Sequence, residues 1–171
     1  MGAPWSTRGD DGNPISTANA GKDASRQLRR SVRTVTADVW DLYGQLTDRD
    51  PSTLTEAQRR LVAICDLRQE VDAGGFDNYF RTWGGNSAPD AIAALPAVLG
   101  SEWSDLLRSA VVLFGPRYPQ DPDERADKID RSDLFDRLRQ LDERFHALEA
   151  STDADARLNA FVAANPEVAG G

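Results

Sequence analysis

Apolar positions in this chain recur every three or four residues, the spacing that returns side chains to one face of a helix. Val32, Val35, Val39, Leu42 or Tyr43, and Leu46 make the first such stripe and predict a helix over residues 25–46. In "TDRDPSTLTEAQRRLVAICDLRQEV" turn residues lead into a second stripe, in which Leu61, Ile64, Cys65 and Leu67 face inward. Thr53 with Glu56 three positions later fits a capping box, each side chain satisfying an orphan amide of the other. This helix should stop at Gly74 or Gly75, because glycine enters the left-handed conformation at little steric cost.

Ser87, Pro89 and Asp90 predict a third start, and Pro96 should kink or end that helix near Leu95. Ser101 can cap the next, which carries Trp103, Leu106, Leu107, Ala110, Val111 and Phe114; the proline-rich "GPRYPQDPDE" then reads as a loop. Leu134, Leu138, Leu141, Phe145 and Leu148 mark a further helix. Thr152 or Ser151 can cap a last one bearing Leu158, Phe161 and Val162 and stopping at Asn165 and Pro166. No segment alternates as a strand would. The expectation is an all-α fold: one compact helical domain over residues 24–166 with six to eight helices and no significant sheet. A disordered tail over 1–23, rich in Gly, Ser, Thr, Asn and Asp, and a flexible end over 167–171 are expected to flank it.

One stretch departs from plain amphipathic spacing. "EVDAGGFDNYFRTWGG", residues 70–85, places Phe76, Tyr79, Phe80 and Trp83 just after the glycine pair. On a short helix their offsets put all four on one face, and each can bury on the order of 150–250 Å². They are expected to hold two helices together at a tight corner, with Gly74 and Gly75 making the turn.

At these residues the sequence resembles the DNA-mimic protein 19 family, a bacterial group. Its members show a glutamate–valine pair, an Asn-Gly-Gly-Phe turn, then an aromatic pair and an asparagine. The match runs through Glu70, Val71, Gly74, Gly75, Phe76, Tyr79 and Phe80, and extends over "AIAALPAVLGSEWSDLLRSAVVLFG" and "LFDRLRQLDERFHALEA". Ala73 and Thr82 stand where the family often has asparagine, so the turn should be capped here in some other way. The resemblance implies an all-helical fold. For the member that gives the family its name, it implies an acidic surface that imitates duplex DNA and occupies a DNA-binding regulator.

Charge bears directly on that implication. The net charge is −8, from 20 basic and 28 acidic residues, and it is unevenly spread. Residues 1–37 hold six basic and three acidic groups, residues 38–120 seven and twelve, and residues 121–155 six and twelve. Direct binding of nucleic acid by the folded part is disfavoured, since affinity for phosphates comes from lysine and arginine displacing counterions. A basic protein is the expected partner. A domain of this size is about 40 Å across, a length over which duplex DNA carries roughly 24 charges. Mimicry therefore needs acids gathered on one face.

Glu124 with Lys128, Asp127 with Arg131, and Asp133 with Arg137 are acid-before-base pairs at four-residue spacing, the mark of a solvated helix surface. Outside those pairs stand Asp121, Asp123, Asp130, Asp136, Asp142 and Glu143, while Glu70, Asp72 and Asp77 form a second acidic group beside the glycine corner. These nine carboxylates are the candidate partner-facing residues.

Catalytic chemistry finds little support. The single histidine, His146, and the single cysteine, Cys65 in apolar "LVAICDL", form no motif together. "DPDERAD" lacks the glycine turn and terminal glutamate of a calcium loop, and the glycine pair lacks the lysine and spacing of a phosphate loop. No catalytic residue, metal or cofactor is expected. The N-terminus has no apolar signal core and no apolar run approaches the roughly 20 residues of a membrane span, which predicts a cytoplasmic protein without membrane contact. The residues favour a binding module for a basic protein, and the resemblance implies that this partner can be the DNA-binding surface of a regulator. They leave open an inhibitor that neutralises a toxin or nuclease, and an enzyme using carboxylates in a pocket.

Overall fold

The computed structural model describes residues 38–170. The expected tail and the first part of the first predicted helix, up to residue 37, lie outside the described residues. Among those residues the chain forms α1 (Val39–Thr47), α2 (Glu56–Arg81), α3 (Ala88–Val98), α4 (Ser101–Val112), α5 (Pro122–Asp130), α6 (Leu134–Ser151), α7 (Ala154–Ala164) and α8 (Pro166–Ala169), with no strand. The all-α expectation holds.

Helix α2 is the hub. Leu61, Ala63, Ile64, Cys65, Leu67 and Val71 are all buried, a wider apolar band than a surface helix shows, because α1, α3, α5, α6 and α8 pack around it. Its start is a capping box two residues later than the sequence pattern placed it: Thr55 Oγ1 accepts from Gln58 N, and Gln58 Oε1 accepts from Thr55 N. Both registers fit the motif. Thr53 is taken instead by a 3-10 turn over Pro51–Thr53, where its hydroxyl donates to Asp50 O.

The glycine pair ends the first helical segment where the sequence placed the stop: the backbone at Gly74 and Gly75 is non-helical, and α2 continues beyond this bend as a second segment. Gly75 sits at φ 75°, ψ −178°, a region that essentially only glycine enters, and helical geometry resumes at Phe76. Phe76, Tyr79 and Phe80 beyond the bend are fully buried. Phe76 meets Phe145 of α6 edge-on at 6.0 Å, and Phe145 meets Trp103 of α4 at 5.4 Å. Phe80 reaches Phe114 at 4.7 Å and Tyr118 at 6.0 Å. The aromatics thus tie the end of α2 to α4, α6 and the loop between α4 and α5. Trp83 is the exception and corrects the expectation: it is 76% exposed. The helix stops at Arg81, Thr82 is extended, and a 3-10 turn over Trp83–Ser87 carries the indole out of phase with the buried face.

Elsewhere the caps shift by a residue or two. Gly100, not Ser101, precedes α4, and Asp153 rather than Thr152 or Ser151 caps α7, its carboxylate accepting from Ala156 N. Ser87 precedes α3, but its hydroxyl donates to Gly84 O and makes no cap. Pro96 does not end α3, which runs on to Val98. Proline has no N–H for the carbonyl of Ile92, and the buried Ser104 hydroxyl of α4 donates to that carbonyl at 2.8 Å instead. The stretch expected to be loose from residue 167 contains most of α8, whose Val168 is fully buried and whose Val168 O accepts from the buried Gln58 side chain.

Candidate functional site

The bend in α2 frees a backbone donor, and the way it is satisfied organises the surface. Asp142 of α6 reaches across so that its Oδ1 accepts from Phe76 N at 2.8 Å, capping the second half of α2 from outside. On the near side of the bend, Asn78 Nδ2 donates both to Glu70 O and to the Glu70 carboxylate. Partial burial holds the Asp142 carboxyl above its ordinary range and Asp77 adds to that, while the Phe76 N–H, His146 and Arg139 pull it down. Asp142 and Glu70, expected to face a partner, are therefore structural: both are partly buried and committed to the bend.

The two acidic groups named from sequence meet at one place. Arg81, at the end of α2, donates to Asp77 at 2.8 Å and to Asp130 of α5 at 2.7 Å. Its guanidinium holds Asp130 below the usual carboxylate range. Asp121 is exposed and caps α5 by accepting from Asp123 N. Asp72, Asp123, Asp136 and Glu143 are exposed and have no ion pair or hydrogen bond from a side chain among the described residues. Of the three expected acid–base pairs, Asp127–Arg131 forms at 2.8 Å. Lys128 turns away from Glu124 and donates to Phe114 O, and Asp133 and Arg137 form no ion pair with one another or with other described residues.

A family model described as DMP19-like protein matches residues 52–165, which span α2 to the end of α7 and include the bend, Arg81 and the acidic stretch of α5 and α6. The chain belongs to the DMP19-like protein family. No curated protein and no solved structure matches it. The two positions that the resemblance marked as replacing asparagine, Ala73 and Thr82, have definite places in this fold. Ala73 is exposed and caps nothing, since Asp142 and Asn78 hold the bend. Thr82 donates its hydroxyl to Tyr79 O and offers its own carbonyl to Arg125.

Arg125 is the residue of this DMP19-like domain that sequence reasoning missed. It is fully buried and lacks a carboxylate partner among the described residues. Its guanidinium donates to four carbonyls: Phe80 O, Thr82 O, Pro119 O and Gln120 O, at 2.7–3.0 Å. Gly85 makes room for it, since a Cβ there would lie 3.0 Å from Arg125 Nη2 and 2.9 Å from Tyr79 O. A signal existed. Pro122, Arg125 and Ile129 share one helical face, and its neighbours on that face are apolar.

Groups associated with catalysis are not brought together. Cys65 is buried, with its thiol pushed up to about 12 by desolvation, and His146 is exposed on α6. Among the described residues no three His, Cys, Asp or Glu side chains are placed to hold a metal ion, and no helix is long and apolar enough to cross a membrane.

Proposed function

We propose that this protein is an acidic binding module for a basic protein, and that its carboxylates stand in for phosphates at the DNA-binding surface of a regulator. The observation that carries this reading is where the cations go. Arg125, Lys128, Arg59 and Arg157 all donate to backbone carbonyls, and Arg81 is held by Asp77 and Asp130. Asp123, Glu124, Asp133, Asp136 and Glu143 on and beside α5 and α6 are left exposed, with no ion pair among the described residues. Residues 38–170 carry 25 acidic and 14 basic groups, a net −11.

A DNA-binding protein neutralises on the order of 6–10 phosphates in its footprint, not every charge of the duplex it covers. The excess of eleven over residues 38–170 supplies that number only where most of it shares one face, and five exposed carboxylates lie on and beside α5 and α6. Asp136 and Glu143 lie seven residues apart on α6, opposite its buried Leu138 and Phe145, so they share the solvent face. Arg139 and His146 border that face on one side and the exposed Arg137 and Arg144 on the other, so the patch on α6 is a narrow one. Such a surface steers a basic partner and is strongly salt-sensitive.

The test is retention of proteins on the immobilised full chain at low and high salt, compared with the triple variant Asp123→Asn/Asp136→Asn/Glu143→Gln. The wild type should hold a basic protein that leaves as salt rises, and the variant should hold clearly less. Equal retention by both would refute the assignment of this surface.

A further inference from the structure

A cleft of about 560 Å³ opens on the other side of the 83–87 turn, between that turn, α2 and the segment joining α1 to α2. Arg49, Val62, Asp66, Trp83, Asn86 and Asp90 line it. None of the carboxylates discussed above belongs to it, and its chemistry is specific. The Asp66 carboxylate, largely removed from water, has one protein donor, the Tyr43 hydroxyl at 2.6 Å, and no cation among the described residues. Asn86 Oδ1 is buried and has no hydrogen-bond partner among the described residues. Arg59, which also lines the cleft, donates to Leu54 O and makes no ion pair or hydrogen bond to either group among the described residues. On the rim stands Trp83, the most exposed large apolar side chain described.

Asp66 and Asn86 thus leave acceptors open on a wall that also carries Arg49 and Arg59, and the rim offers an aromatic face. A buried carboxylate without a cation and a buried amide oxygen without a donor both cost free energy until an N–H group arrives. A planar guanidinium satisfies both sets of demands: it donates several N–H bonds in a fork, and it stacks on an indole where an ammonium gives only a point charge. We propose that this cleft receives an arginine side chain of the basic partner, with Asp66 and Asn86 accepting from the guanidinium and Trp83 covering it. The inference rests on the binding-module reading and adds an anchor to it. The acidic surface of α5 and α6 supplies the field, and this cleft supplies a pocket of fixed shape, the kind of site at which binding energy concentrates.

The test uses the full chain and a short blocked peptide, acetyl-Gly-Arg-Gly-amide, followed through the amide and indole signals of Asn86 and Trp83 in ¹⁵N-labelled protein. Two control peptides replace arginine by citrulline, which has the same shape without charge, and by glutamate. The arginine peptide should shift both signals in a saturable way. Asp66→Asn and Trp83→Ala should each weaken it by about tenfold, the size of losing one charge-assisted hydrogen bond or a desolvated cation–π contact. Trp83 is exposed, so its removal leaves the fold intact. The proposal is overturned if citrulline binds as well as arginine, if the glutamate peptide binds better through Arg49, if no peptide shifts these signals, or if both variants bind like wild type. Because the readout is a small peptide, it stands or falls separately from the retention experiment on α5 and α6.

Discussion

Replacing Gly75 by alanine tests the bend on which the surface is built. Two costs add at this position. An alanine at φ 75°, ψ −178° occupies a region that costs about 1–3 kcal/mol for a residue with a side chain. Its Cβ would also lie 2.5 Å from Asp142 Oδ2, far inside contact distance, so the carboxylate must withdraw. Withdrawal leaves Phe76 N without its acceptor, a lost cap that costs about 1–2 kcal/mol. The expected total is about 2–5 kcal/mol, a large part of the roughly 5–15 kcal/mol that holds a domain together. Urea unfolding followed by far-ultraviolet circular dichroism, and the thermal midpoint, measure it; a fall of about 5–20 °C corresponds to this loss. The decisive control is a double-mutant cycle. Asp142→Ala alone should cost about 1–2 kcal/mol, and in that background Gly75→Ala should cost less than it does in the wild type, since the carboxylate it displaces is already gone. A loss below about 1 kcal/mol, or strictly additive effects, would refute the reasoning.

Three further outcomes follow from buried polar groups. Arg125→Met strips the donors from four carbonyls and should cost about 3 kcal/mol or more, while Arg125→Lys should recover under half of that, because an ammonium cannot fork to all of them; a lysine variant as stable as wild type in urea would contradict this. Ser104→Ala should cost about 1–2 kcal/mol by leaving Ile92 O without a donor, and Pro96→Ala, which restores a backbone N–H, should reduce that cost when the two are combined. Burial, with Glu70 adding to it, raises the Asp66 carboxyl above 3.8, and the Tyr43 hydroxyl opposes this. A raised folded value means a stabilising contribution that is complete below 3.8 and fades as pH rises through the folded value. The stability of wild type relative to Asp66→Asn should therefore fall between pH 3.8 and neutrality; a flat difference in denaturation midpoints would contradict the burial of this group.

Much of the scaffold was legible because helices packed around a hub obey a simple spacing. Leu61, Ile64 and Cys65 of α2, Trp103, Leu106, Leu107 and Ala110 of α4, and Leu134, Leu138 and Phe145 of α6 point inward as their periodicity requires. Three things were not legible, each for a physical reason. Trp83 continues the heptad-like spacing of Phe76, Tyr79 and Phe80, but spacing has meaning only while the helix lasts, and Thr82 ends it one residue earlier. Asp142 and Glu70 look like the other acids of their groups in sequence, and only the bend, which frees an amide and needs a bracket on both sides, gives them internal work. Arg125 sits among charges that read as a solvated surface, yet carbonyls from the end of α2 and from the loop before α5 converge there to form a site for a cation.

Competition with duplex DNA tests the central claim most directly. A regulator retained by the immobilised chain at low salt is identified, purified and titrated with its own duplex in the presence of increasing amounts of this protein. If carboxylates on α5 and α6 occupy the phosphate-binding surface, protein and duplex must exclude one another, and the Asp123→Asn/Asp136→Asn/Glu143→Gln variant must compete poorly. A ternary complex of regulator, duplex and this protein would show that the acidic surface binds elsewhere and does not imitate DNA.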